Sequence, residues 1–443
     1  MSLYAYQEQA VQRIVSSTNP TYLGFEMGLG KTRVALAVAE KMGAKRVLVI
    51  CPAIARLAWE QEITKVWPNG PPVVMVKSFR DLQRLRGDCI ALMSYGLVSS
   101  SKSGGYDYVA GLKQLPPFDL SVLDEAHALK NPTAIRTQGV LIKLKGILGK
   151  VLPMSGTPAP NHAGELFAIM RSLWPNVVKK PDGSLMKQVE FENEYCDVAL
   201  KFFNSRQVRV IEGSKNVDVL RSKMAPYMIR AQKKDVLKEL PPLTFDTLPV
   251  PVSGKALPLS FPAKATDDEI LKIITAKDEH IATIRQLVGL AKVPGAIDVI
   301  INALDASTRK VLVYAQHHAV IDELMKGLAE FMPVKIDGRD TDNQRRETVR
   351  RFVEHPGHRV FVGQLQAAGT AITLIGPKFE VSDVFFVEGS TNPGDNVQAA
   401  SRIHRIGQPN AVQGWFLTAH GTFDDRVQDI IRRRTRDFYD LFN

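Results

Sequence analysis

The sequence predicts an α/β protein made of two parallel-sheet lobes, the first carrying a helical insertion. Three observations support this. A length of 443 residues, at about 150 residues per domain, calls for two or three domains, each able to bury a core. Short apolar runs alternate with amphipathic stretches in two blocks, the pattern of an open parallel sheet with helices on both faces. Between the blocks that rhythm breaks, and a proline-rich stretch follows.

In the first block, residues 1–175, the strand runs are KRVLVICP (45–52), CIALMSY (89–95), FDLSVLDEAH (118–127) and VLPMSGTP (151–158). Their continuous Val, Ile and Leu suit strands buried on both faces. Residues 176–240 lack such runs and contain VDVLRSKMAPYMIRAQKKDVLKEL, charged and expected to be helical, so they are assigned as the insertion. PPLTFDTLPVPVSGKALPLSFP (241–262) suits a linker and an extended lead into the second lobe. That lobe, 263–443, holds RKVLVYAQ (309–316), PVKID (333–337), HRVFVGQ (358–364), VSDVFFVEG (381–389) and AVQGWFLTA (411–419).

Hydrophobic residues at 45% and charged residues at 23% are an ordinary balance for a soluble globular chain. No uninterrupted apolar run approaches the roughly 18 residues that cross a bilayer, and MSLYAYQEQAVQRI does not read as a signal peptide. The expected setting is intracellular: the cytoplasm of a prokaryotic or virus-infected cell, or a nucleus, with no membrane partner. Cys51, Cys89 and Cys196 are far apart and form no CxxC pair, which argues against a disulfide framework or a zinc site. Lys and Arg number 57 against 46 Asp and Glu, a formal charge of +11, which permits attraction to a polyanion without requiring it.

GFEMGLGKT (24–32) follows an apolar stretch and precedes TRVALAVAEKM, which has helical periodicity. Gly28, Leu29, Gly30, Lys31 and Thr32 therefore fall on a strand-to-helix loop. Glycines there let backbone N–H groups turn toward phosphate oxygens, and the helix N-terminus adds favourable charge. Lys31 is expected to reach the β- and γ-phosphates of ATP, and the Thr32 hydroxyl to coordinate Mg²⁺. Phe25 stands where the general phosphate-loop pattern has glycine.

DEAH (124–127) ends the strand FDLSVL, where open α/β sheets place ligand groups. Asp124 is assigned to Mg²⁺, and Glu125 to orienting and deprotonating the attacking water. A hydrolysis transition state spreads negative charge over the γ-phosphoryl oxygens, and an arginine supplied from another lobe is worth roughly 10³ to 10⁵ in rate. Arg402 and Arg405 in QAASRIHRIGQ (398–408) are spaced i, i+3, as if on one helix face, and are assigned that role.

Taken in order, these motifs resemble the Swi/Snf-type branch of helicase superfamily 2, the double-stranded DNA translocases with two RecA-like lobes. The resemblance runs from LYAYQEQAV (3–11) through EMGLGKT, CPAIARLAWEQEI (51–63), SYG (94–96), DEAH, SGTPAPN (155–161), MIRAQKKDVLKELPP (228–242) and IDGRDTDNQRRETVRRF (336–352) to QAASRIHRIGQ and GTFDDRVQDIIRRR (421–434). It implies Gln7 on adenine, His127 with Ser155 and Thr157 coupling nucleotide state to DNA, and Gln398 facing the γ-phosphate beside Arg402 and Arg405. RQLVGLAKVPGAIDVI (285–300) resembles the fork-remodelling, strand-annealing subgroup.

Some positions depart from the family. QLQAAGTAITL (364–374) lacks a second glycine in the fifth motif, which puts DNA-coupling roles for Gly369 and Thr370 in doubt; Thr391 replaces a tryptophan before NPG, and Tyr4 replaces a basic residue. His317 and His318 after KVLVYAQ read as a loop feature. Trp59, Trp67, Trp174 and Trp415 read as core or rim packing, and Cys51 as buried and inert. Arg432, Arg433 and Arg434 fit phosphate contacts or a solvated helix equally.

The expected function is ATP-dependent translocation on double-stranded DNA by a monomeric motor, with room for an unidentified targeting protein as a further partner. Two alternatives stay open: a strand-separating DNA or RNA helicase, and a nucleotide-dependent DNA clamp with little motion.

Overall fold

The computed structural model describes all residues except 1–2, 54, 100–105, 160–161, 204–205, 238, 253–260, 262–264, 277, 369–373, 376–380 and 443. The chain divides into two compact units, Met1–Gln232 and Lys233–Asn443.

In the first unit every pairing of the main sheet is parallel. Its strands are β1 (Tyr22–Phe25), β2 (Arg46–Cys51), β3 (Val73–Met75), β4 (Cys89–Ser94), β5 (Leu120–Asp124), β6 (Lys150–Met154) and β9 (Met228–Ala231), in the order β3-β4-β2-β5-β6-β1-β9. β2, β4 and β5 are buried at every residue, as expected of strands covered on both faces. Helix α1 (Ala5–Ser16) precedes β1, α2 (Lys31–Lys41) follows it, and α3 (Ala55–Val66) follows β2. The last carbonyls of α1 have no intrahelical partner; Lys150 Nζ donates to Ile14 O at 2.6 Å and Ser17 O at 2.5 Å, tying α1 to β6.

The stretch 176–240 carries helices, Gln188–Tyr195 and Val217–Met224, as expected of a helical insertion, but it is not helical throughout. It contains an antiparallel hairpin, β7 (Cys196–Phe203) with β8 (Arg206–Ser214). The run MIRA within it is β9, which pairs in parallel with β1 from Tyr22–Met228 to Phe25–Ala231. Helical propensity over such a short run is weak, and pairing with an open sheet edge overrides it.

Among the described residues the second unit holds six strands, also all parallel, in the order β10-β15-β14-β11-β13-β12. They are β10 (Leu243–Val250), β11 (Lys310–Ala315), β12 (Val334–Ile336), β13 (Val360–Gln364), β14 (Val381–Phe386) and β15 (Val412–Ala419). β10 lies inside the stretch expected as linker and pairs with β15 over eight positions, Leu243–Val412 to Val250–Ala419. Prolines masked this strand in the sequence, yet Pro249 is tolerated because β10 is an edge strand. In β11, Val311, Val313 and Ala315 pack with one core cluster while Leu312 and Tyr314 pack with another, the period-two sign of a sheet with two covered faces.

Among the described residues one helix, Glu279–Asp305, is long and apolar enough by composition to cross a membrane. Its Val293, Ala296, Ile300 and Leu304 pack in the β11 core. Its Lys292 is buried and pairs at 2.8 Å with Asp424.

Candidate active site

In open parallel sheets ligands gather beyond the carboxyl ends of the strands, and β5, β6 and β1 are neighbours. Their ends carry DEAH, SGT and the glycine loop in turn, so three segments far apart in sequence are adjacent by topology.

The loop after β1 is built from both its glycines and α1. Gly28 and Gly30 adopt left-handed φ of 86° and 80°. At Gly30 a Cβ would also fall 2.5 Å from Gln7 Nε2. Gln7 is 2% exposed; its Oε1 accepts from Tyr4 N at 3.0 Å and its Nε2 donates to Leu29 O at 2.9 Å. Tyr6 Oη donates to the same carbonyl at 3.1 Å, and burial pushes this phenol up to about 12, keeping it a donor. Lys31 opens α2, and its Nζ donates to Phe25 O at 2.9 Å and Glu26 O at 3.3 Å. Thr32 lies in the same first turn, half-buried. The SGT loop crowds in: a Cβ on Gly156 would meet Met27 Cγ at 2.9 Å and Lys31 Nζ at 3.3 Å.

At the end of β5, Asp124 is buried, and burial first, then the neighbouring Glu125 charge, push its carboxyl up to about 7. Trp59 Nε1 donates to Asp124 Oδ2 at 2.8 Å, and Glu125 N to Asp124 Oδ1 at 3.0 Å. Glu125 has φ 51° and ψ 53°, a left-handed conformation that costs a non-glycine residue on the order of 1–3 kcal/mol and gathers at functional sites. Ser155 Oγ donates to Glu125 Oε2 at 3.0 Å, His127 Nδ1 lies 2.9 Å from Ser155 Oγ, and Thr157 N donates to that hydroxyl at 3.1 Å. His127 Nδ1 is also 3.3 Å from Glu125 Oε2. The side chains of Glu125, His127 and Ser155 thus meet around one hydroxyl, and Thr157 joins them through its backbone amide.

In the second unit, NPG is a helix start: Asn392 caps the helix Pro393–Ala400 through Gly394 N, and Pro393 takes the first position, each residue in its preferred place. Gln398 lies near its end, half-buried. Arg402 and Arg405 do not share a helix face, because the helix stops at Ala400 and both lie in the turns beyond it. Those turns are held by Gln408, whose Nε2 donates to Ile403 O and Val381 O, and by Gly407 at φ 90°. Arg405 Nε donates to Ser401 O at 3.0 Å. Burial raises the pKa of the Tyr314 phenol of β11, and the Arg402 and Arg405 charges act against that rise.

His404, between the arginines, drew no notice in the sequence. Its Nε2 bonds Pro241 O at 2.7 Å and its Nδ1 faces Lys233 Nζ at 3.2 Å. Burial, then the Lys233 charge, lower its pKa to about 3. This neutral imidazole ties the arginine turns to the MIRAQKKDVLKELPP segment.

His317 lies in the bend after β11 and His318 opens the helix His318–Gly327. His317 Nδ1 lies 2.6 Å from Glu388 Oε1, and His318 Nδ1 3.7 Å from the buried Asp337. Burial works against the Glu388 carboxylate, but His317 and the Gln316 and His317 amides outweigh it and hold its pKa low. Arg432, Arg433 and Arg434 pair with Asp429, Asp267 and Asp268. Trp174 donates to Pro20 O and Trp415 to Asp383. Trp59 is 1% exposed, as expected of core packing, and its indole N–H donates to Asp124. The three cysteines are free and buried. Gly369 and Thr370, with Pro160 and Asn161 of SGTPAPN, lie outside the described residues.

A glycine phosphate loop and a DEAH strand end on one parallel main sheet, followed by a second parallel sheet with an arginine turn, define a chain of the helicase superfamily 2 type. Residues 6–290 match the SNF2-related domain and residues 295–407 the helicase conserved C-terminal domain, and the chain belongs to the SNF2-related family. It is 28% identical over 430 residues to the DNA annealing helicase and endonuclease ZRANB3 of Mus musculus, covering 93% of this chain and 38% of that protein. It is 29% identical over 445 residues to a Caenorhabditis elegans homolog of SWI/SNF-related matrix-associated actin-dependent regulator of chromatin subfamily A-like protein 1, covering 98% of this chain and 61% of that protein. The chain thus spans less than two thirds of the length of either relative. The Sulfolobus solfataricus SWI2/SNF2 ATPase core in complex with dsDNA aligns with 100% of this chain and 93% of that one, at 21% identity and a TM-score of 0.44.

Proposed function

We propose that this chain hydrolyses ATP to move along double-stranded DNA, remodelling DNA or DNA–protein structures inside the cell without obligatory strand separation. The observation that carries the reading is the bond between Ser155 and Glu125, 3.0 Å long and shared with His127. A carboxylate suited to activating water is joined to the loop at the end of the neighbouring strand. A change at the γ-phosphate would therefore move that loop.

Thr32 and Asp124 supply the hard oxygen donors that suit Mg²⁺. Among the described residues no group of three or more His, Cys, Asp or Glu is placed to cage a metal, so these two residues would hold the ion together with substrate phosphates. When bound, Mg²⁺ offsets charge on the phosphate oxygens. Gly28, Leu29 and Gly30 shape the phosphate loop, Lys31 binds the β- and γ-phosphates, and Gln7 faces adenine. Glu125 orients and deprotonates the attacking water. Arg402 and Arg405, with Gln398, stabilise the charge that builds during hydrolysis, and His127, Ser155 and Thr157 relay nucleotide state. The excess of 57 Lys and Arg over 46 Asp and Glu favours holding a duplex through its phosphates, without reading sequence.

A triplex-displacement assay tests the reading: ATP-dependent release of a third strand from a duplex supports translocation, and no release with ATP turning over contradicts it. One observation favours a second reading, strand separation. The β7–β8 hairpin stands outside the parallel sheet and exposes Leu200 by 62%, a form that could act as a wedge. Unwinding of a forked duplex under the same conditions would decide for it.

A further inference from the structure

The segment CPAIARLAWEQEI has no role in the account above, although it touches the candidate site twice. Trp59 Nε1 in α3 donates to Asp124 Oδ2 at 2.8 Å. Glu62, one turn further along, accepts from Arg33 Nε of α2 at 3.1 Å. Asp124 Oδ1 accepts from Glu125 N at 3.0 Å. Each carboxylate oxygen has two acceptor sites. One bond on each oxygen fixes the plane of the group and leaves a site on each for another partner. A tryptophan serving only as packing needs some acceptor for a buried N–H, but Trp59 takes this one from the residue assigned to the metal.

We propose that Trp59 is a positioning residue: its indole N–H holds the Asp124 carboxylate in the orientation that receives the divalent ion of the nucleotide complex. This rests on reading Asp124 as the metal-facing carboxylate. Partners that orient a metal ligand typically contribute about 10- to 100-fold in metal affinity.

The test is Mn²⁺ binding to the ADP complex of the full chain, followed by electron paramagnetic resonance, in wild type, W59F, W174F and D124N. Trp174 is an internal control, because its buried indole also donates a bond, to Pro20 O at 2.7 Å. W59F should bind ADP without metal as wild type does and lose about tenfold or more in Mn²⁺ affinity, while W174F keeps wild-type affinity. Wild-type Mn²⁺ affinity in W59F, or an equal loss in W174F, overturns the proposal. Unchanged Mn²⁺ affinity in D124N instead overturns the assignment of Asp124. Should W59F fail to fold, the four tryptophans give four indole ¹⁵N–¹H signals, assignable by elimination from W67F, W174F and W415F. Adding Mg²⁺ to the wild-type ADP complex should move the Trp59 signal most; a stationary Trp59 signal overturns the proposal.

Discussion

Ser155 and Glu125 come from different strand ends and meet at 3.0 Å, with Glu125 held in a left-handed backbone conformation. That pairing places the carboxylate without using up its second oxygen. Glu125→Gln should keep ATP binding, measured by nucleotide fluorescence, and lose turnover by about 10²–10⁴-fold, the range for removing a general base. Ser155→Ala keeps the carboxylate, so its basal turnover should fall far less than its DNA stimulation. Equal losses in the two variants would show that Ser155 does not serve as a relay.

Asp124 has a carboxyl pushed up to about 7 by burial and by Glu125. An unfolded aspartate titrates near about 3.9, so between these values the folded chain binds the proton more tightly. Stability of the nucleotide-free protein therefore falls as pH rises through that window. Asp124→Asn removes the charge, and its melting temperature should exceed that of wild type by a few degrees at about pH 8, with the gap closing toward about pH 4.

His404 shows the opposite sign. Burial and Lys233 lower its pKa to about 3, whereas an unfolded histidine titrates near about 6.5. Its contribution is complete above the unfolded value and is lost as pH falls toward the folded one. His404→Gln should shrink the drop in melting temperature between about pH 7 and about pH 5. An unchanged drop would mean that another group carries the acid sensitivity.

Arg402 and Arg405 sit in turns past the helix end, both close enough to act on Tyr314. Alanine at either position should leave ATP affinity near wild type and cut turnover by about 10³–10⁵. Lysine should not restore it, because an ammonium lacks the planar fork of guanidinium donors. Recovery by Arg402→Lys and Arg405→Lys would reduce their role to bulk charge.

Much of this was legible in the sequence, for physical reasons. The continuous apolar runs of β2, β5 and β11 announce strands covered on both faces, and glycines flanking Leu29 before a lysine announce a phosphate loop. Where the sequence misled, pairing with distant partners decided the outcome. β9 and β10 are short or proline-bearing and become strands because β1 and β15 offer open edges. The i, i+3 spacing of Arg402 and Arg405 suggested a helix that Ala400 ends. Trp59, His404 and Lys292 look like packing or solvated residues until folding brings Asp124, Pro241 and Asp424 beside them. No local pattern encodes those meetings.

The most direct test is the steady-state ATPase rate with no nucleic acid, with duplex DNA of increasing length, with single-stranded DNA and with RNA. Turnover should be slow alone, rise with duplex, and rise further as the duplex lengthens. A rate stimulated by RNA but not by duplex DNA, or one indifferent to duplex length, would contradict the account of a double-stranded DNA motor.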